Sequence, residues 1–249
     1  MDVIILAAGY GTRLYPLTKD KPKALIPVAG KPILEHILFR IEEINGVKKI
    51  VIVSNNVFYQ NFVEWKKSYK ANVEIKILND GTSTNETRLG AIGDINFAIT
   101  KENLYDDLMV VGSDNIFDFG LVHLHKFFHE KKSSVVALYD IVEKSKASNK
   151  YGVVITDENL RILDFHEKPS EPKSSLVSTA CYIISKKDVE IFEHFIRDNP
   201  KIDNLGEFIK FLSAKKHVYG FVFSERWFDI GSHEQLKEAH EYWSNKIKS

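Results

Sequence analysis

Two cations, Arg13 and Lys23, stand in or just after a stretch of small residues near the start of the chain, Leu6-Ala7-Ala8-Gly9-Tyr10-Gly11-Thr12-Arg13-Leu14. Ala7, Ala8, Gly9 and Gly11 have little or no side chain, so main-chain N–H groups can close on a bulky anion or a flat base while the cations supply positive charge. That is a composition for handling phosphates. Two commoner phosphate loops are ruled out. A dinucleotide fingerprint needs glycine where Leu14 stands, and a Walker loop needs Gly-Lys-Ser/Thr where the chain has Gly30-Lys31-Pro32. Farther along, Asp114 follows the apolar run Leu108-Met109-Val110-Val111-Gly112, at the strand end where open α/β sheets bind ligands.

These residues need a frame that brings them to one edge. Val3 to Leu6 reads as a buried strand delivering the small-residue loop. Pro32 suits the first turn of a helix with Ile33, Leu34, Ile37, Leu38, Ile41 and Ile44 on one face. Lys49 to Ser54 and Val73 to Leu78 read as strands flanking a helix over Val57 to Tyr69, so strand and helix alternate and predict a parallel sheet with right-handed crossovers. Ser83 and Glu86 have capping-box spacing before a helix carrying Leu89, Ile92 and Ile99. Helix over Gly120 to Lys131 and strand over Ser134 to Tyr139 follow, then a charged connection, Val142 to Lys150. Beyond it, shorter strands are expected over Tyr151 to Ile155, Ile162 to Glu167, Ser178 to Ile184 and Val218 to Phe223, with helices over Lys186 to Asp198 and Leu205 to Ser213. A last helix starts at Ser232, with Gln235 at capping-box distance.

The fold class expected is therefore α/β: a Rossmann-like, three-layer domain with a mostly parallel central sheet. At 249 residues the chain suits a single domain, with a change of architecture expected between 1–140 and 141–249. Lysine plus arginine and aspartate plus glutamate both number 34, which leaves no basic field for nucleic acid. No segment has the length of an apolar membrane span and no leader-like segment is visible. Cys181, the single cysteine, fits a buried strand, and a cytoplasmic setting is expected. The composition leaves a homo-oligomer open, and the nine histidines show no metal-ligand spacing.

The opening pattern, together with Pro16, Thr18, Pro22-Lys23 and Pro27, resembles the signature of the sugar-1-phosphate nucleotidyltransferases, the pyrophosphorylases that make nucleoside-diphosphate sugars. The resemblance covers nearly the whole chain and is nearest to glucose-1-phosphate thymidylyltransferases. It implies a nucleoside triphosphate and a sugar 1-phosphate as partners and Mg²⁺ as cofactor. Leu6, Ala7, Ala8, Gly9, Gly11 and Thr12 would enclose the nucleotide, with Arg13 and Lys23 on its phosphates. Asp114 matches the aspartate of the family's Gly-Asp-Asn element, here preceded by Ser113, and Asp229 that of its Trp-x-Asp-x-Gly element. By resemblance these two hold the metal, and Arg13, Lys23 and Asp114 are the catalytic set. Phe165-His166-Glu167-Lys168-Pro169 resembles the Glu-Lys-Pro element, in which Glu167 would bind sugar hydroxyls and Lys168 the sugar phosphate. Gly152 would lie against the hexose, and Thr179 falls in the strand that closes the sugar pocket. No hexapeptide repeat is present to build the C-terminal β-helix domain that some relatives carry.

One segment departs from the family pattern. Where many thymidylyl- and uridylyltransferases have a Gln-Pro-x-Gly-like segment, this chain has Asn79-Asp80-Gly81-Thr82 and then Arg88-Leu89-Gly90-Ala91. Asn79 offers both a donor and an acceptor to a thymine or uracil edge, and Arg88 could reach phosphate or base. A turn asparagine and an exposed helix arginine are the plainer alternatives. A cytidylyl- or guanylyltransferase acting on choline phosphate, a phosphonate, mannose phosphate or heptose phosphate stays open, as does a non-catalytic relative that only binds the nucleotide sugar.

Overall fold

The computed structural model describes residues 1–199 and 202–248. In chain order its elements are β1 (Asp2–Leu6), β2 (Pro27–Val28), β3 (Lys31–Pro32), α1 (Ile33–Glu42), β4 (Lys49–Ser54), α2 (Tyr59–Ser68), β5 (Glu74–Asn79), α3 (Gly90–Glu102), β6 (Leu108–Gly112) and β7 (Asn115–Phe117). There follow α4 (Leu121–Lys131), β8 (Val135–Asp140), β9 (Val153–Thr156), β10 (Ile162–His166), β11 (Leu176–Ile184), α5 (Lys186–Asp198), α6 (Leu205–Lys215), β12 (Tyr219–Phe223), β13 (Trp227–Asp229) and α7 (His233–Lys248).

Among the described residues the main sheet has nine strands, in the order β10-β9-β11-β6-β1-β4-β5, with β8 and β12 joined beside β11. Pairing is parallel for β6, β1, β4 and β5, and β12 is parallel to β8, while β11 runs antiparallel to β6, β8 and β9. The sheet is thus mostly parallel: only β10 and β11 run against the common direction. Alternation along β1 shows why both faces need cover. Val3 and Ile5 pack with α1, α2 and α4, whereas Ile4 packs with α3, α5 and α6. Two apolar layers on either side of one sheet make the expected three-layer domain.

The helices form where the apolar spacing requires. On α1, Ile33, Leu34, Ile37, Leu38 and Ile41 are buried together. Pro32 stands just outside this helix as its cap, and Ile44 is buried in the turn after it. The helix expected after Ser83 starts later. Thr84 and Thr87 cap a short 3₁₀ turn over Asn85–Thr87, and α3 begins only at Gly90, whose φ of 75° interrupts any continuous helix. Cys181 is fully buried in β11. The paired strands β7 and β13, both only three residues long, were not expected, and they matter for the site.

Candidate active site

The opening loop leaves the carboxyl end of β1 and is held through its own main-chain groups, by main-chain and side-chain partners. Ala7 N–H donates to Val53 O at 2.8 Å, and the Ala8 carbonyl accepts from the Asn55 amide at 2.8 Å. Gly11 has φ 62°, and its carbonyl accepts from the buried Thr18 hydroxyl at 2.7 Å. Thr18 was recognisable in the sequence as part of the pattern, and its role is to lock this turn. A side chain at Gly9 would meet no atom within 4 Å, so that glycine leaves its backbone open to the cleft.

Asp114 lies one turn beyond β6, tied to β1 by Ser113 N–H donating to Leu6 O at 3.1 Å. Asp229 reaches it through the β7–β13 pair, in which Asp229 is in register with Asn115 and Ile230 N–H donates to the Asp114 carbonyl at 2.9 Å. Asn115 is the joint that sequence reasoning missed. Its amide donates to Gly112 O at 3.0 Å and to the Asp114 carboxylate at 3.1 Å, and accepts from the Trp227 indole at 2.7 Å. The signal was adjacency: Asn115 follows one candidate carboxylate and Trp227 precedes the other by two residues.

Lys23, on a short turn after Pro22, bonds the Asp114 carboxylate at 2.8 Å. Arg13 lies over Gly231, with a guanidinium nitrogen 3.0 Å from where a Cβ there would be, so a larger residue there would press on the guanidinium and shift it. The two carboxylates have opposite electrostatics. Burial pushes Asp114 up, but the Lys23 ammonium and Arg13 outweigh it and hold the carboxyl below its ordinary value. Asp229 is pushed up to about 6, first by burial and then by the negative charge of Asp114.

Three chambers meet here. One of about 190 Å³ lies between Gly9, Gly11, Thr12, Arg13 and Lys23. A second, of about 540 Å³, is lined by Arg13, Asp114, Lys168, Asp229 and Gln235. The third, of about 340 Å³, shares Asp114, Lys168 and Asp229 with it and extends past Gly152 to Glu167, Tyr182 and Asp203. Its floor is the Phe165 ring, flanked by two glycines. A Cβ at Gly152 would sit 2.5 Å from that ring and one at Gly206 only 2.2 Å. Lys168 has φ 43° and its exposed ammonium is 3.7 Å from Glu167. Glu167 is raised by burial, and by Glu207 and Asp203, against the pull of Lys168.

Two expected site residues, Asn79 and Arg88, bond to nearby protein groups, whereas Thr179 lines the third chamber beside Ser178, Ala180 and Tyr182. The Thr179 hydroxyl donates to Ala137 O at 3.0 Å, and Ser178 and Tyr182 are paired through their hydroxyls at 2.9 Å. The Asn79 amide is used at both ends, donating to Asn56 Oδ1 at 3.0 Å and accepting from Gly81 N–H at 2.9 Å, so it shapes its own loop. Arg88 pairs with Asp203, a residue of the third chamber's lining, at 3.3 Å and with the Asn85 carbonyl at 3.4 Å. Arg13, Lys23, Gly152, Glu167, Lys168, Asp114 and Asp229 do converge.

No cluster of three or more His, Cys, Asp or Glu side chains suited to a metal occurs among the described residues. A pair of hard carboxylates such as Asp114 and Asp229 fits Mg²⁺ nevertheless, because that ion keeps waters and takes phosphate oxygens as its other ligands. The rise at Asp229 marks two negative groups whose repulsion a cation would relieve. No helix of the described residues is long and apolar enough to cross a membrane.

The chain is 32% identical over 256 residues to the bifunctional protein GlmU of Methanocaldococcus jannaschii, covering all of this chain but 56% of that protein. It thus spans little more than half the length of such relatives. It is 29% identical over 251 residues to the UTP–glucose-1-phosphate uridylyltransferase AglF of Haloferax volcanii, covering 97% of this chain and 96% of AglF. Its fold matches the crystal structure of a UDP-glucose pyrophosphorylase complexed with UDP-glucose, with a TM-score of 0.83 at 20% identity over 98% of both chains. The nucleotidyl transferase family model matches residues 2–246, the whole span that holds Arg13, Asp114, Lys168 and Asp229, and the chain belongs to that family.

Proposed function

We propose that this chain transfers a nucleotidyl group from a nucleoside triphosphate to a sugar 1-phosphate. A phosphate oxygen of the acceptor attacks the α-phosphorus, the bond from that phosphorus to the bridging oxygen breaks, and pyrophosphate leaves with the electron pair. Repulsion between two polyanions is the main barrier, so catalysis is mostly positioning and charge neutralisation. The observation that carries this reading is the convergence of Arg13, Lys23 and Lys168 around two carboxylates at the junction of three chambers.

In this assignment the nucleotide enters by the opening loop, with Arg13 and Lys23 on the triphosphate. Asp114 and Asp229 would hold Mg²⁺, which supplies further positive charge to the reacting phosphates. Lys23 bonds Asp114 at 2.8 Å, so it occupies that carboxylate and is released to the phosphates as they arrive. Lys168 takes the acceptor phosphate, and Glu167 accepts from sugar hydroxyls above the Phe165 floor. The pair to test first is glucose 1-phosphate with UTP or dTTP, supported by the name of AglF and by the hexose-sized cavity of about 340 Å³.

Pyrophosphate release is the assay. The protein with Mg²⁺ should release it only when a triphosphate and a phosphorylated sugar are both present, and a panel of UTP, dTTP, CTP and GTP against sugar phosphates and choline phosphate should single out one pair. Release without an acceptor, or none with any pair, would overturn the reading.

A further inference from the structure

Asp94, on α3, is an acidic side chain only 6% exposed, and its Oδ1 has no hydrogen-bond partner among the described residues. The charged group facing it is another carboxylate, Asp80, in the loop after β5. Asp80 acts as an acceptor. It takes the Thr82 N–H at 2.7 Å and the Thr82 hydroxyl at 2.8 and 3.0 Å, and its remaining lone pairs leave room for one donor more. A second negative charge on a buried carboxyl that faces a half-buried one is disfavoured. Burial and the Asp80 charge push Asp94 up to about 8.

The chain of contacts continues toward the opening loop. Thr82 has one hydroxyl proton and gives it to Asp80, so in the 3.1 Å contact between Tyr10 and Thr82 it is the tyrosine that donates. Tyr10 stands between Gly9 and Gly11 of the opening loop. The same segment is pinned on its other side by Asp80 N–H to Ser54 O at 2.9 Å and Asn56 N–H to Thr82 O at 2.8 Å.

We propose that Asp94, as a neutral carboxylic acid donating to Asp80, is a positioning residue that latches the loop after β5 to the opening loop and so sets the nucleotide end of the cleft. Its effect on substrate rests on the function proposed above; the latch itself does not. Below neutral pH the proton is in place. As pH climbs through about 8 it is lost, the two carboxylates repel, and the loop over 79–84 loosens.

Three proteins, wild type, Asp94→Asn and Asp94→Ala, are compared between pH 6.5 and 9. Asparagine keeps an N–H donor at every pH, whereas alanine has none. Amide exchange in residues 79–84 should quicken in the wild type relative to Asp94→Asn above about pH 8, and the wild-type KM for the triphosphate should rise in the same range. Asp94→Ala should raise that KM about tenfold at pH 7, with kcat and the acceptor KM little changed. Equal pH profiles in wild type and Asp94→Asn would overturn the latch, even if Asp94→Ala fails to fold. The exchange pattern without any triphosphate binding would overturn the functional reading and leave the latch standing.

Discussion

The opening loop presents its main chain at the ends of parallel strands, and the candidate residues it carries are close together in sequence. Along β11 and Lys168 the wall is made of side chains from distant segments, on backbone that departs from regular geometry. Lys168 and Ala180 both have positive φ, and β11 shifts register between Ser178 and Tyr182. A side chain at Gly11 would press on Thr18, and Thr18 bonds back to Gly11, so the first region is rigid by local closure. In the second, the exposed ammonium of Lys168 has only a 3.7 Å pairing with its own neighbour, Glu167. On the function proposed above, the first region would hold the ligand part common to all substrates, the phosphate chain, and the second would vary with the acceptor.

Where the two regions meet, the effect of substitution should be greatest. Asp114→Asn or Asp229→Asn should lower kcat by more than about 100-fold while thermal stability stays close to wild type, since each would remove a proposed charged metal ligand but little volume. Near-normal turnover at saturating Mg²⁺ would take that residue out of the metal site. In the acceptor region, Lys168→Ala should raise the KM of the sugar phosphate by about ten- to a hundredfold and that of the triphosphate little, as the loss of one charged hydrogen bond. Equal weakening of both substrates would erase the distinction between regions.

The smallest effect is expected at Asn79. Because its amide is occupied within the loop, Asn79→Ala should raise the KM of all four triphosphates alike, by about three- to twelvefold at most, the worth of one neutral hydrogen bond. A change in preference among UTP, dTTP, CTP and GTP would mean that the amide turns to the base on binding.

The same contrast explains what was legible in the sequence. The loop from Leu6 to Leu14, with Thr18 and Lys23, is contiguous, so its place after a buried strand could be read directly, and the phosphate chemistry proposed for it rests on the same short stretch. The layers followed from helix and strand periodicity. Thr179 lies on the cavity wall as its strand suggested, but its hydroxyl is committed to the β8 backbone next to the irregularity at Ala180, which alternation along a regular strand does not foretell. The start of α3 was misplaced because Gly90 packs against Asp203, a contact that local capping signals cannot report. Strands as short as β7 and β13 carry too few residues for any pattern, yet their pairing brings Asp229 to Asp114.

That pairing also has a meaning for the order in which the molecule is made. Asn115 and Trp227 are 112 residues apart, so a chain emerging from the ribosome exposes the opening loop and Asp114 long before their partner strand exists. Until β13 arrives, β7 has no strand beside it and Asp114 lacks the contact that Ile230 N–H makes to its carbonyl. Closing so wide a loop is entropically slow compared with forming the β1–α1 region. The opening loop and Asp114 are therefore made well before Asp229, and the two carboxylates come together only once both segments have folded.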